Sequence, residues 1–333
     1  VSETATASAQ RQRRLFSDMA MQAPQVLRAL VRGGEIWLTV VAALLGAVAG
    51  LLVVGMNQAS QLAHELLFHL QPGERLSGQL HLVSWRALAV PCLGGLCMGL
   101  MTVALARWRP ARTIDPIEAN ALFGGRMSIG DSVVVVAQTL LSNGVGASVG
   151  LEAGYTQIGA AVCSRVGRVF RVRRGDLRLL VGCGAAGAIA AAFNAPLTGA
   201  FYAFELVIGT YSLVTLAPVV AAAISAVMVQ RLMLGDEPGY GIALSSGLDT
   251  VDFVPVLALG VLCALVGVVV MYGVTLTERA FSRSRMPVWL RPAVGGLIVG
   301  SLALLTPAVL AAGHGALRGG LTAELPLRAL LVL

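Results

Sequence analysis

Six stretches of the chain are almost free of charge: Ile36–Met56, Leu88–Ala106, Leu179–Ala192, Leu213–Val229, Val254–Val274 and Val294–Leu310. A helix that crosses a bilayer needs roughly 20 consecutive apolar residues. Several of these stretches are long enough to span, and a few are short. Only 12% of the 333 residues are charged, about half the share found in soluble domains. Both observations predict an all-α, polytopic integral membrane protein.

The basic residues are all arginine, and the net charge is +7. Such a balance can serve nucleic-acid binding, but the arginines lie between apolar spans and few aromatics are interleaved with them. The pattern fits the excess of basic residues on the cytoplasmic side of a membrane. Residues 1–34 then form a cytoplasmic tail carrying Arg11, Arg13, Arg14, Arg28 and Arg32. The His69–His81 loop is outside, and Arg107, Arg109 and Arg112 are inside again. The cluster from Arg165 to Arg178 is inside, the acidic Gly235–Asp252 loop outside, and Arg279, Arg283, Arg285 and Arg291 inside. Trp37, Trp85, Trp108 and Trp289 fall near span ends, as an interfacial belt does.

A GGLxxG pattern occurs twice, at Gly94–Gly99 and at Gly295–Gly300. The first copy runs outside-to-inside and the second inside-to-outside, the signature of an inverted repeat. The GxxxG spacings Gly46/Gly50, Gly95/Gly99 and Gly296/Gly300 allow close helix approach. We therefore read a tail at 1–34, a first repeat at 35–234, and the start of a second, inverted repeat at 253–333. By this logic the second repeat lacks about a hundred residues of its counterpart.

Three segments interrupt the helical pattern. In Arg112–Leu122, Thr113 and Asp115 are helix-start residues and Pro116 suits a first turn. In Ser142–Gln157, Gly144, Gly146, Gly150 and Gly154 punctuate an apolar run. In Ala191–Val207, Asn194 and Pro196 mark a stop and a restart. Broken backbone at membrane depth is tolerated where it is buried in protein or lines a cavity. A helix restarting there turns free N–H groups and its positive dipole end into that cavity, and such an end attracts anions. Glu152 stands alone in VGLEAGYTQIGAAV, with Arg126 and Arg165 as its nearest basic neighbours along the chain. At the start of a restarted helix its carboxylate can occupy an anion site, and on protonation yield that site to a permeating anion. The competing reading is an acid that only stabilises a helix end.

These segments resemble the CLC family of chloride channels and chloride/proton antiporters. GLEAGYTQIG is similar to the family's GxEGPxxQIG, AAFNAPLTGAFYAFE to AAxFNAPLxGxxFxxE, and TIDPIEANAL to GSGIPEIxxxL. The resemblance runs from about Ile36 onward and is strongest over Thr113–Glu205. It implies an inverted-topology repeat with broken, re-entrant helices, and chloride as substrate. It implies that Glu152 is the gate, and that the anion is held at helix starts by Thr113, Ile114 and Asp115 and by Gly150, Leu151 and Ala153. Arg112 and Ile114 replace family glycines, Thr113 stands for a serine, and Ala153-Gly154 replaces Gly-Pro. Leu206 follows Glu205 where antiporters carry an internal proton-transfer glutamate, so the chain resembles the channel-type members. Glu205 is left as the candidate for any proton path, or as a buried structural acid. The resemblance also implies a homodimer, with a surface that includes Ala195–Leu206 and Leu213–Gln230, and a bacterial inner membrane suits the compact form.

Other signals are weaker. His64 and His69 are five apart, not the four that a pair of helical zinc ligands needs. Gly182, Gly184 and Gly187 lack the Lys and Ser/Thr of a phosphate loop and read as packing glycines. The five cysteines show no metal or redox spacing and read as small buried residues. No nucleophile-and-base pattern of an enzyme and no cofactor motif is evident.

Overall fold

The computed structural model describes residues 35–79, 82–108, 112–235, 253–313 and 315–317. Among the described residues ten α-helices follow one another: α1 (Glu35–Phe68), α2 (Ser84–Trp108), α3 (Pro116–Leu122), α4 (Ile129–Gly144), α5 (Glu152–Val169), α6 (Arg174–Phe193), α7 (Pro196–Tyr202), α8 (Leu213–Leu234), α9 (Phe253–Arg283) and α10 (Arg291–Ala303). A π-helical turn, Ala203–Ile208, continues α7. Among the described residues there is no strand. Of the described helices, five (α1, α2, α6, α8 and α9) are long and apolar enough to cross a membrane. The tail at 1–34 and most of the acidic 235–252 loop lie outside the described residues.

The helices fall into two units. The first holds residues 35–63, 112–144 and 149–235, with α6 at its centre. Almost every α6 side chain from Leu177 to Ala191 is buried. The glycines and alanines of this stretch let neighbouring backbones approach. A Cβ on Gly159 of α5 would lie 2.6 Å from the Gly184 carbonyl oxygen, and one on Gly46 of α1 would overlap Ala222 of α8. Gly50 meets Ala226 in the same way, so the first GxxxG pair forms a contact between parallel α1 and α8. In a bilayer, where lipid is as apolar as the side chains, such backbone proximity and van der Waals packing supply the association energy.

The second unit contains the end of α1 from His64, then α2, α9 and α10. Here the two GGLxxG copies face each other. A Cβ on Gly95 would overlap the Pro292 carbonyl, one on Gly99 that of Trp289, and one on Gly296 that of Pro91. Gly300 sits against Ala87, 2.8 Å from its carbonyl oxygen. As residue numbers rise along α2 they fall along α10, so the pair is antiparallel, the direction inferred from the arginines. The four tryptophans are exposed at or next to the ends of α1, α2 and α10.

Two sequence expectations change. Gly154 does not break a helix; it lies inside α5, buried, where a Cβ would meet Met56 at 2.8 Å and Thr139 at 3.2 Å. Its role is to let α5 approach α1 and α4. Of the five cysteines only Cys163 and Cys183 are fully buried; Cys97 and Cys263 are exposed on α2 and α9, helices apolar enough to cross a membrane, and free cysteine behaves there as a small hydrophobe.

Candidate functional site

The interrupted segments belong to the first unit, except for residues 145–148 of the second segment, which are grouped with the second unit. α3 begins at Pro116, and Asp115 is its N-cap: the Oδ1 of Asp115 accepts from the Glu118 N–H at 2.7 Å. Proline fits there because its missing N–H is one the helix would leave unpaired. α6 ends at Phe193, Asn194 takes the left-handed conformation (φ 53), and Pro196 restarts the chain as α7. The Arg231 Nε donates to the Asn194 Oδ1 at 2.9 Å and braces this break against α8.

α4 stops at Gly144 and α5 starts at Glu152. The N-cap is Leu151, whose side chain cannot accept a hydrogen bond. The first intrahelical bond of α5 runs from Tyr155 N–H to the Leu151 carbonyl, so the N–H groups of Glu152, Ala153 and Gly154 precede it, as at any helix start. The Glu152 side chain folds back toward the lead-in. A Cβ on Gly150 would overlap its carboxylate, and glycine is the residue that leaves that space. Glu152 is half-buried, and among the described residues no cation or hydrogen-bond donor pairs with its carboxylate. Leu151 and Tyr155 are anchored in an apolar cluster with Val53, Met56 and Ile158.

Buried polar residues hold this start in place. Asn143 Nδ2 donates to the Val149 carbonyl at 2.6 Å, and the Ser60 hydroxyl donates to Asn143 Oδ1 at 2.5 Å. The lead-in to Glu152 is thereby fastened to α4 and α1. Gln157, one turn into α5, is 3% exposed. Its Nε2 donates to the Ile114 carbonyl at 2.9 Å and to the Ser132 hydroxyl at 3.2 Å. One side chain therefore ties the segment that opens α3 to the first turns of α5. Both bonds leave its own helix. Its partner lies 43 residues upstream, and nothing local in the chain marks the pairing. Asn120, 1% exposed, completes the frame, donating to the Arg178 carbonyl at 3.0 Å and the Val207 carbonyl at 3.1 Å.

The sequence candidates thus divide into two sets. Thr113, Ile114 and Asp115 lead into α3, Thr113 and Ile114 half-buried and Asp115 exposed. Gly150, Leu151, Glu152 and Ala153 form the start of α5, and the Gln157 bond connects the sets. Arg112 pairs with Glu118 at 3.7 Å, but its side chain is 85% exposed, so the pair contributes little. Glu205 and Leu206 stand elsewhere, on the exposed side of the π turn, where the Tyr211 hydroxyl donates to Glu205 Oε1 at 2.9 Å. Glu205 is therefore not buried in the single chain. Among the described residues no group of three or more His, Cys, Asp and Glu could hold a metal ion.

Comparison with known proteins is in keeping with this arrangement. Residues 94–333 match the family model of the voltage gated chloride channel. A ClcB-like chloride channel protein of Ralstonia nicotianae is 35% identical over 244 residues, covering 72% of this chain and 57% of that protein. The voltage-gated ClC-type chloride channel ClcB of Salmonella dublin is 32% identical over 279 residues, covering 82% of this chain and 66% of the relative. The corresponding protein of Escherichia coli is 32% identical over 288 residues, covering 85% and 68%. The chain thus spans between 57% and 68% of the length of these relatives. In fold it is similar to a slow cyanobacterial chloride/proton antiporter, with a TM-score of 0.71 at 20% identity over 89% of this chain and 70% of that one. It is also similar to a CLC-type fluoride/proton antiporter, with a TM-score of 0.67 at 21% identity over 86% and 69%. An all-α architecture with broken helices, the matching family model and the relatives at 32–35% identity converge: the chain belongs to the voltage-gated chloride channel family.

Proposed function

We propose that the protein carries small anions, chloride by default, across a bacterial inner membrane through a pathway gated by Glu152. The observation that carries this reading is the placement of a half-buried carboxylate, without a cation partner among the described residues, at the uncapped start of an 18-residue helix. That helix end favours negative charge. Glu152 supplies the charge itself, folded back toward Gly150, and gives way to a free anion when it takes up a proton or swings aside. The α3 lead-in supplies the second half of the site: Thr113 offers a hydroxyl, and Gln157 fixes its distance from α5. Ionisable groups within membranes mark ion pathways more often than not.

Leu206 favours a channel-like pathway over coupled exchange, because an apolar side chain there cannot relay a proton. A proton-coupled exchanger is the second reading. It is favoured by Glu205, whose carboxylate sits in a π turn, a distortion frequent at functional sites, and accepts a hydrogen bond from Tyr211. The exposed apolar surface of α7 and α8, including Leu197, Phe201, Ile224 and Met228, is the candidate face for a homodimer with one pathway per subunit.

The test uses the complete protein in liposomes under a chloride gradient, with chloride efflux and proton movement recorded for wild type and Glu152→Gln. Chloride flux without uphill proton transport, made independent of pH by Glu152→Gln, is the expected result. Uphill proton transport abolished by Glu152→Gln selects the exchanger. Absence of anion flux from folded wild-type protein overturns the transport assignment.

A further inference from the structure

The anion pathway proposed above leaves the arginine cluster at the far end of α5 without a task. There, the α3–α4 loop, the C-terminus of α5 and the N-terminus of α6 border an open cleft of about 1280 Å³. Five arginines line it, Arg126, Arg165, Arg168, Arg171 and Arg174, and no acidic residue does. Among the described residues none of the five is ion-paired. Arg168 is held in place by a 2.6 Å bond from its Nη2 to the Met127 carbonyl, yet its Nε is buried without a partner. Four of the five are exposed and solvent screens their repulsion, but a cleft lined by one sign of charge still concentrates ions of the other.

The backbone points the same way. After α5 the chain turns through Arg171 at φ 50, with Val172 N–H bonded to the Gly167 carbonyl at 3.0 Å. This is the left-handed position that closes many helices, and glycine fills it at least cost. An arginine is held there against its conformational preference, with its side chain on the cleft. Across the cleft, Gly124 (φ 60) leaves room for the Arg174 side chain, which a Cβ would overlap.

We propose that this cleft binds a phosphate-bearing anion at the cytoplasmic membrane surface. It reaches Ile114 at one edge, but it is far larger than a monatomic anion fills. Arginine forks match phosphate oxygens in pairs, and basic pockets between membrane helices on the cytoplasmic side suit anionic lipid headgroups. Apolar side chains, among them Phe123, Met127 and Val172, share the lining. That mixture suits an amphiphile, with an anionic phospholipid as one source of the phosphate and a soluble phosphate compound as the other. The site stands apart from the gate, and binding rather than flux reads it out.

The experiment places the complete protein in phosphatidylcholine nanodiscs and follows thermal unfolding. One arm raises the mole fraction of phosphatidylglycerol; the other adds inorganic pyrophosphate. In wild type the midpoint rises with at least one of them, and higher salt weakens the effect. Each arginine near the membrane surface contributes to binding about a fivefold change in affinity. Arg171→Gly relieves the left-handed backbone, so without anion it unfolds no earlier than wild type, yet needs about fivefold more ligand for the same rise. Arg165→Gln, exposed and outside any turn, shows a similar loss without a backbone effect. A response to phosphatidylglycerol alone identifies a lipid as the source; saturation by pyrophosphate identifies a soluble phosphate. The proposal is overturned if neither ligand shifts the wild type, or if Arg171→Gly and Arg165→Gln respond as wild type does, in which case the arginines serve topology alone.

Discussion

Gln157→Leu is the sharpest perturbation of the frame around the site. Leucine fills nearly the volume of glutamine, so no large cavity results. What disappears is the Nε2 donor, and with it the bonds to the Ile114 carbonyl and the Ser132 hydroxyl. Their losses differ. Ser132 keeps its own bond, donating to the Ser128 carbonyl at 2.8 Å, so it loses only an incoming donor. The Ile114 carbonyl loses its side-chain partner in a half-buried setting. Polar contacts between membrane helices contribute about 0.6 kcal/mol on average and up to about 1.7 kcal/mol, whereas an acceptor stranded in a protein interior costs about 1–3 kcal/mol. Together these give a destabilisation of about 1–3 kcal/mol. If the Gln157 tie also sets the spacing of the two helix starts, anion flux falls about tenfold, since about 1.4 kcal/mol of misplacement at a binding step corresponds to that factor. The assay is chloride efflux from liposomes, normalised to folded protein, beside thermal unfolding in detergent. Wild-type flux and wild-type stability in Gln157→Leu refute the idea that this side chain joins the α3 lead-in to α5. Reduced stability with wild-type flux keeps the tie as structure and removes it from transport.

Two further substitutions separate effects that otherwise coincide. Asp115→Asn retains a capping oxygen for the Glu118 N–H while removing a negative charge beside the α3 start, so stability stays within about 0.5 kcal/mol and anion flux rises; Asp115→Ala loses the cap as well and costs about 1 kcal/mol, which thermal unfolding reads directly. Gly296→Leu places a Cβ onto the Pro91 carbonyl oxygen, whereas Gly295 has nothing within 4 Å. The first therefore separates α2 from α10 at a cost above about 3 kcal/mol, while Gly295→Ala is near neutral, and a comparison of monodisperse yield and midpoint for the pair checks both.

Much of this architecture was legible because its signals are local. Asn194, Pro196, Pro116 and Asp115 act on their own backbone or on the next turn, so the stops and restarts of α3, α6 and α7 could be placed from residue type. The breadth of the helix interruption before Glu152 followed from Gly144, Gly146 and Gly150, but Gly154 carries the same letter with the opposite use. It packs against Met56 and Thr139 inside α5, and only the neighbours of a glycine distinguish a packing surface from a break. The GGLxxG copies could be recognised as related, yet their contact with each other belongs to the tertiary structure.

Hydropathy by itself determined that the chain is a helical membrane protein, and residue types such as Pro116, Asn194 and Pro196 marked where its helices are interrupted. Tertiary structure decided which apolar helix is enclosed and which polar groups meet. Beyond the charged first turns of α6 and before the charged last turns of α9, both helices are apolar around their circumference, yet α6 is buried along most of its length and no residue of α9 is buried. In water a helix reveals its inner face by leaving polar residues outside. In lipid both environments are apolar, and that contrast is absent. Gln157 meeting Ile114, and Asn143 meeting Ser60 and Val149, likewise depend on where the chain returns: a hydrogen bond is set by distance in space, and the sequence carries only distance along the chain.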